Sequence, residues 1–511
     1  MADEIGECRS VFPAPVYRET VLERIFEAAK RYFLGPLLEI EYAHTLMLER
    51  QGILSRAHAV ACINALNGLD LADLRRAEYD GRCEDLFFLV EQRLAAACGA
   101  DVAGRMHTAR SRNDIDLTMY RMVLRERLRD VLQSVVVLRA RLVSLAEKHR
   151  DDLMPAYTHN QPAQPTTLGH YLMAMAEVLE RDSERLISAY GRLNRSPMGA
   201  CAITTTGFPI DREFTARMLG FSGVQVNSYG AIAAVDYLAE SCSVLAVVML
   251  SLGRFAQDLL LWSTAEFGFL RLSDAYVQVS SIMPQKRNPV PLEHVRALAS
   301  RSMTSAQSVV GCLHNTPFAD MNDSEDDLQP LVYEAFEDGE RSLRLLAGVL
   351  GEAEFKTERM AAAAERNFLS VTELADTLVR RAGMSFGAAH ELVSHAVKEM
   401  TAAGESSDAG EMARIVEREL RGRSALRDGE FSGELLSVGE IVRSLSPRNF
   451  VEVRSVIGGP AARALEPEIR RACEQIGVDR RWLRDTGEDL RRARAELHVL
   501  CAELAGSLDA G

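Results

Sequence analysis

Two serines, a lysine, an arginine and an asparagine are gathered in the run Val279-Ser280-Ser281-Ile282-Met283-Pro284-Gln285-Lys286-Arg287-Asn288-Pro289. Pro291 suits the first turn of a helix that follows, where a missing N–H costs nothing. A helix N-terminus with cations beside it favours bound anions. A serine held there could have its alkoxide stabilised enough to act as a base. As composition alone, the run reads equally well as a polar cap on a helix. Three polar stretches break an otherwise helical pattern with residues that a bundle has no packing use for: His107 to Asp116, Tyr157 to His170, and Gln278 to Glu293.

The elements that must position these stretches are helices. Between Asp116 and Arg150, residues Leu124, Leu128, Val131, Val135, Leu138, Leu142 and Leu145 recur at spacings of four and three with no Gly or Pro. That is a long bundle helix with a coiled-coil-like seam. At 1.5 Å per residue it spans about 50 Å, more than a small domain needs, so its surplus apolar face must meet something. Leu168 to Asn194, Ala231 to Thr264 and Pro291 to about Cys312 also read as helices. Hairpin signals are nearly absent. The expected fold class is therefore all-α, a long central helical bundle with two smaller helical end domains. The division is 1–110, 111–366 and 367–511, with a surface insertion expected at 401–433, rich in Gly, Ser, Glu and Asp. The last 30 residues are expected to form a solvated terminal helix.

Composition narrows the function classes. A 511-residue chain with 47% hydrophobic residues can bury a large core. Its net charge of −14 argues against nucleic acid or an anionic membrane as a general partner and for a small molecule or protein. No run reaches about 18 uninterrupted apolar residues, and the N-terminus lacks the apolar core of a signal peptide, so a cytoplasmic location is expected. The nine cysteines are scattered and never spaced Cys-x-x-Cys, which suggests neither a disulfide framework nor a metal site. No cofactor is expected.

The loop string closely resembles the Gly-Ser-Ser-x-Met-Pro-x-Lys-x-Asn-Pro signature of the fumarase/aspartase/argininosuccinate lyase superfamily. His107-Thr108-Ala109-Arg110-Ser111-Arg112-Asn113-Asp114 and Thr158-His159-Asn160-Gln161-Pro162-Ala163-Gln164-Pro165 resemble two further stretches of argininosuccinate lyases, in the same order and spacing. Smaller echoes include Leu374-Ala375-Asp376, Phe450-Val451-Glu452-Val453-Arg454 and Gly458-Gly459, so the resemblance covers about residues 40 to 470.

The chemistry of such a site is β-elimination. A proton leaves the carbon beside a carboxylate, a doubly charged aci-carboxylate forms, and the departing nitrogen is protonated. The resemblance implies Ser280 as general base. Ser111, Arg112, Asn113, Thr158, Ser281, Lys286 and Asn288 would hold the succinyl carboxylates. His159 would protonate or orient the leaving nitrogen, with Glu293 as its carboxylate partner. It also implies a homotetramer whose central helices pack together and whose active sites are shared between subunits. The implied function is an argininosuccinate-lyase-like carbon–nitrogen lyase of arginine biosynthesis and amino-acid metabolism, releasing fumarate from an N-substituted aspartate. The alternatives are a lyase for another substituted succinate in specialised metabolism and a non-catalytic structural homologue.

Departures from the family pattern fall in two groups. In the motifs, Val279 and Ala109 stand where Gly is usual, and Val290 where Asp is often found. In the part implied to hold the departing half, Asp320, Glu325 and Leu328 stand at the places of Tyr, Gln and Lys, and Lys30 at the place of an Asp. Asn227-Ser228-Tyr229-Gly230-Ala231 replaces Asn-Ser-Met-Asp-Ala. The altered charge leaves the amine product open.

Overall fold

The computed structural model describes residues 12–403, 408–425 and 434–506. Five long helices make the bundle: α1 (Arg112–Lys148), α2 (Leu168–Leu193), α3 (Asp236–Trp262), α4 (Val290–Leu313) and α5 (Gln329–Glu352). The seam read from the sequence is buried at Leu124, Leu128, Val131, Val135, Leu138 and Leu142. Four of these helices lie where the periodicity predicts them. The exception in detail is 231–264, which divides into a short helix, Ser228–Ala233, and α3. The fifth, α5, was not expected, although Val332, Phe336, Leu343, Leu346 and Leu350 are buried along one face of it. Neighbours in contact are α1 with α2 and α5, α2 with α3, α3 with α4, and α4 with α5.

Two departures from expectation concern the C-terminal third. Up to Gly506, the last 30 residues lie at the end of a longer helix, α6 (Ala462–Gly506), and are not merely solvated: Leu483, Leu497, Cys501 and Leu504 are buried, and α6 lies along α1 and α2. Arg139 of α1 ties the three together, with Nη1 donating to Ser183 Oγ at 3.1 Å and to Asp479, and Nη2 to Glu180 at 3.0 Å. A second core between Leu374 and Ile441 is separate from that of the bundle. It includes Met412, Ala413, Ile415, Val416 and Leu420 of the helix Ala409–Ala425, inside the stretch expected as an insertion. The rest of that stretch, 404–407 and 426–433, lies outside the described residues. The helices from Leu34 to Met106 share the core of the bundle.

α3 is apolar enough, with a mean hydropathy of 1.7 over its most apolar window, to suit a membrane crossing by composition. Here one side of it, including Leu238, Cys242, Leu245, Met249 and Leu252, is buried in the bundle. The opposite side, Ser243, Val247, Leu250, Arg254, Gln257 and Leu261, is exposed at spacings of three and four.

Among the described residues, strands occur only in short pairs. β1 (Leu153–Thr158) and β2 (Gln161–Thr167) form an antiparallel hairpin between α1 and α2, with a register shift at Ala156/Tyr157. Gly169 follows at the start of α2. A Cβ there would lie 2.6 Å from Ala146 O and 2.8 Å from Arg150 Cα, so only glycine lets α2 cross the end of α1 this closely.

Candidate active site

The stretch 107–116 folds as the entry to α1. Ser111 is the N-cap, in extended conformation, and Asp114 reaches back to accept its N–H at 2.9 Å. The other carboxylate oxygen of Asp114 accepts the N–H groups of Gly199 at 2.8 Å and Cys201 at 2.9 Å. Burial pushes its carboxyl up to about 6 against the pull of those N–H groups. Ala109, where glycine is usual, has φ of 61°, which explains the family's glycine and costs an L-residue about 1 kcal/mol. Arg110 is fully buried and paired to Glu41 of the helix Leu34–Arg50 at 2.7 Å. His44 of that helix meets Thr108 O at 2.9 Å, and burial, then Arg110, holds its pKa down at about 3, so the ring is neutral.

Around this turn two of the residues expected to hold anions, Arg112 and Asn113, are engaged by carboxylates of the chain itself. Ser111 Oγ donates to Asn113 Oδ1 at 2.7 Å, and Asn113 Nδ2 donates to Asp320. Arg112 spans Asp116, at 3.0 Å, and Asp85. Tyr120 donates to Asp326 at 3.0 Å, and Glu325 meets Asp320. Burial lifts the Asp116 carboxyl to about 7, against the pull of Arg112. Burial, then Asp320, pushes Glu325 far above the carboxylate range. Both folded-state values lie above the unfolded ones. Their stabilising contribution is therefore complete below about pH 4 and is lost as pH rises through 7 and beyond. The apparent melting temperature of the unliganded protein is expected to fall between pH 6 and 9, with a shallower slope in Glu325→Gln. An equal slope in that variant would contradict the assignment.

The hairpin presents the second stretch. Its two-residue turn is His159 and Asn160, both left-handed at φ 51° and 60°, which is the tight-hairpin geometry that Asn tolerates best. Thr158 and His159 are exposed at its tip. Gln164 reaches Thr372 at 3.4 Å, and His170 reaches Gly458 O at 3.0 Å, so the hairpin's flanks meet the C-terminal echoes. Those echoes also meet each other, as Arg454 pairs with Glu373 at 2.9 Å and Asp376 at 3.6 Å.

The third stretch is a loop closed by a two-rung ladder, β3 (Gln278–Val279) against β4 (Arg287–Asn288). Val279 is thus a strand residue, for which a β-branched side chain is well suited where glycine is usual. Asn288 Nδ2 donates to Gln278 O at 2.9 Å, and Arg287 pairs with Asp274 at 2.5 Å, so both brace the loop. Ser280 Oγ accepts the backbone N–H of Met283 at 3.1 Å and, more weakly, of Ile282 at 3.4 Å. Ser281 and Lys286 are exposed, and Val290 opens α4.

No hydrogen bond or ion pair among the described residues joins the three stretches within the chain. His159 and Glu293, expected to pair, do not meet, and Glu293 is exposed in the first turn of α4. Lys30 is committed to Ala77 O at 2.6 Å and Glu27 at 2.7 Å. Sequence reasoning missed Asp85, Asp116, Glu41 and Asp326. Only Asp116 carried a signal, its i,i+4 spacing from Arg112.

Comparison with known proteins shows the family. A family model described as lyase matches residues 87–304, and one described as argininosuccinate lyase C-terminal matches residues 368–452. The chain is 43% identical to argininosuccinate lyase 2 of Agrobacterium fabrum, covering 88% of each chain. It is 39% identical to the argininosuccinate lyase of Methanoculleus marisnigri, covering 91% of this chain and 92% of that one. The solved structure of EDDS lyase in complex with formate matches with a TM-score of 0.84 and 31% identity, over 97% of this chain and 96% of that one. The chain belongs to the argininosuccinate lyase family of carbon–nitrogen lyases, in the fumarase/aspartase superfamily.

Proposed function

We propose that the protein eliminates fumarate from an N-substituted aspartate, argininosuccinate or a relative, with Ser280 as the base. The observation that carries the reading is the Ser280 hydroxyl accepting two backbone N–H groups inside a loop that also carries Lys286. Those dipoles and the ammonium favour an alkoxide there. Ser280 takes the proton beside the carboxylate, the electron pair forms the C=C bond, and the C–N bond breaks. His159 supplies or positions the proton that the nitrogen takes. Lys286, Arg112, Asn113, Ser111, Ser281 and Thr158 balance the dianion, while Asn288 holds the base of the loop.

Completing this site is the role we assign to self-association. The exposed α3 row, with Val137 of α1 and Val310 of α4 also exposed, suits packing of the bundle helices against other copies in a homotetramer. His159 would then reach Ser280 and Glu293 across subunits. A cytoplasmic setting belongs to the same proposal, and suits the cysteines, which are free throughout the described residues. The names of the relatives support argininosuccinate and arginine biosynthesis. The acidic Asp320 and Glu325 favour the second reading, a different substituted succinate.

The test is ultraviolet absorbance of fumarate on incubation with argininosuccinate and with other N-substituted aspartates, alongside the mass of the assembly by light scattering. Fumarate from argininosuccinate at the highest kcat/KM supports the first reading, and fumarate chiefly from another compound supports the second. A fully active monomer would overturn the shared site.

A further inference from the structure

The anion-binding side chains of the α1 entry are occupied in a way that restricts what can leave. In the elimination reading, on which this inference rests, a succinyl carboxylate must reach Asn113. The amide of Asn113 is held by Asp320. Substrate binding therefore exchanges one carboxylate for another and takes the amide donor away from Asp320. The groups around it are acids: Glu325, kept in its proton-bearing form by burial and by Asp320, meets it, and Asp116 and Asp326 add their charges to Glu325. Arg112 is already divided between Asp85 and Asp116. A neutral leaving half would put no cation beside this acidic cluster, and an anionic one would be repelled by it.

Beside these carboxylates lies a second feature that the elimination chemistry does not use. Phe318, two residues before Asp320, stacks on Tyr229 with ring centroids 5.9 Å apart and planes 23° apart. Both rings are solvent-exposed, at 65% and 45%. Aromatic faces next to carboxylates suit an alkyl chain that ends in a cation. Tyr229 belongs to the segment that departs from the family pattern, as do Asp320 and Glu325.

We infer that Asp320 and Glu325, with the Tyr229–Phe318 stack, receive a leaving half that bears a second positive charge, a protonated alkylamine or amidinium, and no carboxylate. The incoming cation takes the place that Asn113 vacates on Asp320, so recognition of the two halves is coupled. Argininosuccinate, whose leaving half carries a carboxylate, is then a poorer substrate than its decarboxylated analogue.

The experiment compares kcat/KM for three N-substituted aspartates of similar size: N-(3-aminopropyl)aspartate, N-butylaspartate and N-(2-carboxyethyl)aspartate. Argininosuccinate and its decarboxylated analogue form a second pair. The intact protein, Asp320→Asn, Glu325→Gln and Ser280→Ala are assayed. The expected result is a preference of at least about tenfold for the aminopropyl over the butyl compound, with the carboxyethyl compound slowest. Both carboxylate variants should shrink that ratio toward one, mainly through KM. No preference in the intact protein, or a ratio unchanged in the variants, overturns the inference. If one variant does not fold, the other and the intact protein still decide. Ser280-dependent fumarate from all three compounds without charge preference removes this inference alone. Fumarate from none of the compounds removes the elimination reading with it.

Discussion

Replacing Ser280 by alanine is expected to lower kcat for fumarate release by about 10² to 10⁴-fold while KM changes little. The reason lies in what the hydroxyl does in the free chain. It accepts N–H groups from Met283 and Ile282, contacts that favour the alkoxide which takes the proton, so the group acts in the proton transfer rather than in holding the substrate. The substrate carboxylates are assigned to other side chains, so their binding should survive. Alanine also leaves the ladder Gln278–Val279 against Arg287–Asn288 and its braces at Asp274 and Leu272 untouched, so the loop should keep its base. Single-turnover kinetics would separate the chemical step from binding. A loss expressed wholly in KM would make Ser280 a binding residue, and a loss of less than about tenfold would move the base elsewhere.

The sequence carried the bundle because helical periodicity is a local signal, and the residues at Leu124, Leu128, Val131 and Val135 could be buried in only one way. It carried the loop and the hairpin because their strings are specific. It did not carry α5, whose spacing is equally regular but whose start, Gln329-Pro330, is continuous with the polar stretch before it. It carried a helix at the C-terminal end but not its burial, since a segment rich in Arg and Glu reads as solvated until the stripe at Leu483, Leu497, Cys501 and Leu504 is placed in the core. The partners of the site residues were least legible. Asp85 is also the N-cap of the helix Leu86–Cys98, and Asp320 lies 207 residues from Asn113. Such pairings depend on how distant elements approach, which no local pattern encodes. The same holds for His159 and Glu293, which the chain alone does not bring together.

A larger effect on stability is expected from Glu41→Ala, about 3–5 kcal/mol. The side chains of Arg110 and Glu41 are 0% and 1% exposed. Arg110 Nε and Nη2, like Glu41 Oε1, have no hydrogen-bond partner among the described residues. The guanidinium therefore depends on one contact, at 2.7 Å, and on the Phe87 ring at 5.8 Å. Removing Glu41 leaves a buried cation with no hydrogen-bonded carboxylate, only that ring and the more distant Asp114 and Glu91, and the cost of a buried charge so poorly compensated exceeds what the pair itself contributes. The consequence reaches the site, because Arg110 immediately precedes Ser111, Arg112 and Asn113 and fixes the entry to α1. Glu41→Ala should lower both the chemical-denaturation midpoint and kcat/KM. The double substitution Glu41→Leu with Arg110→Met should recover most of the stability, since apolar replacement of a buried pair is often neutral. It should not recover kcat/KM, because the tie between the helix Leu34–Arg50 and the α1 entry stays broken. If the double variant regains activity along with stability, the pair is only packing, and some other contact positions Ser111 and Asn113.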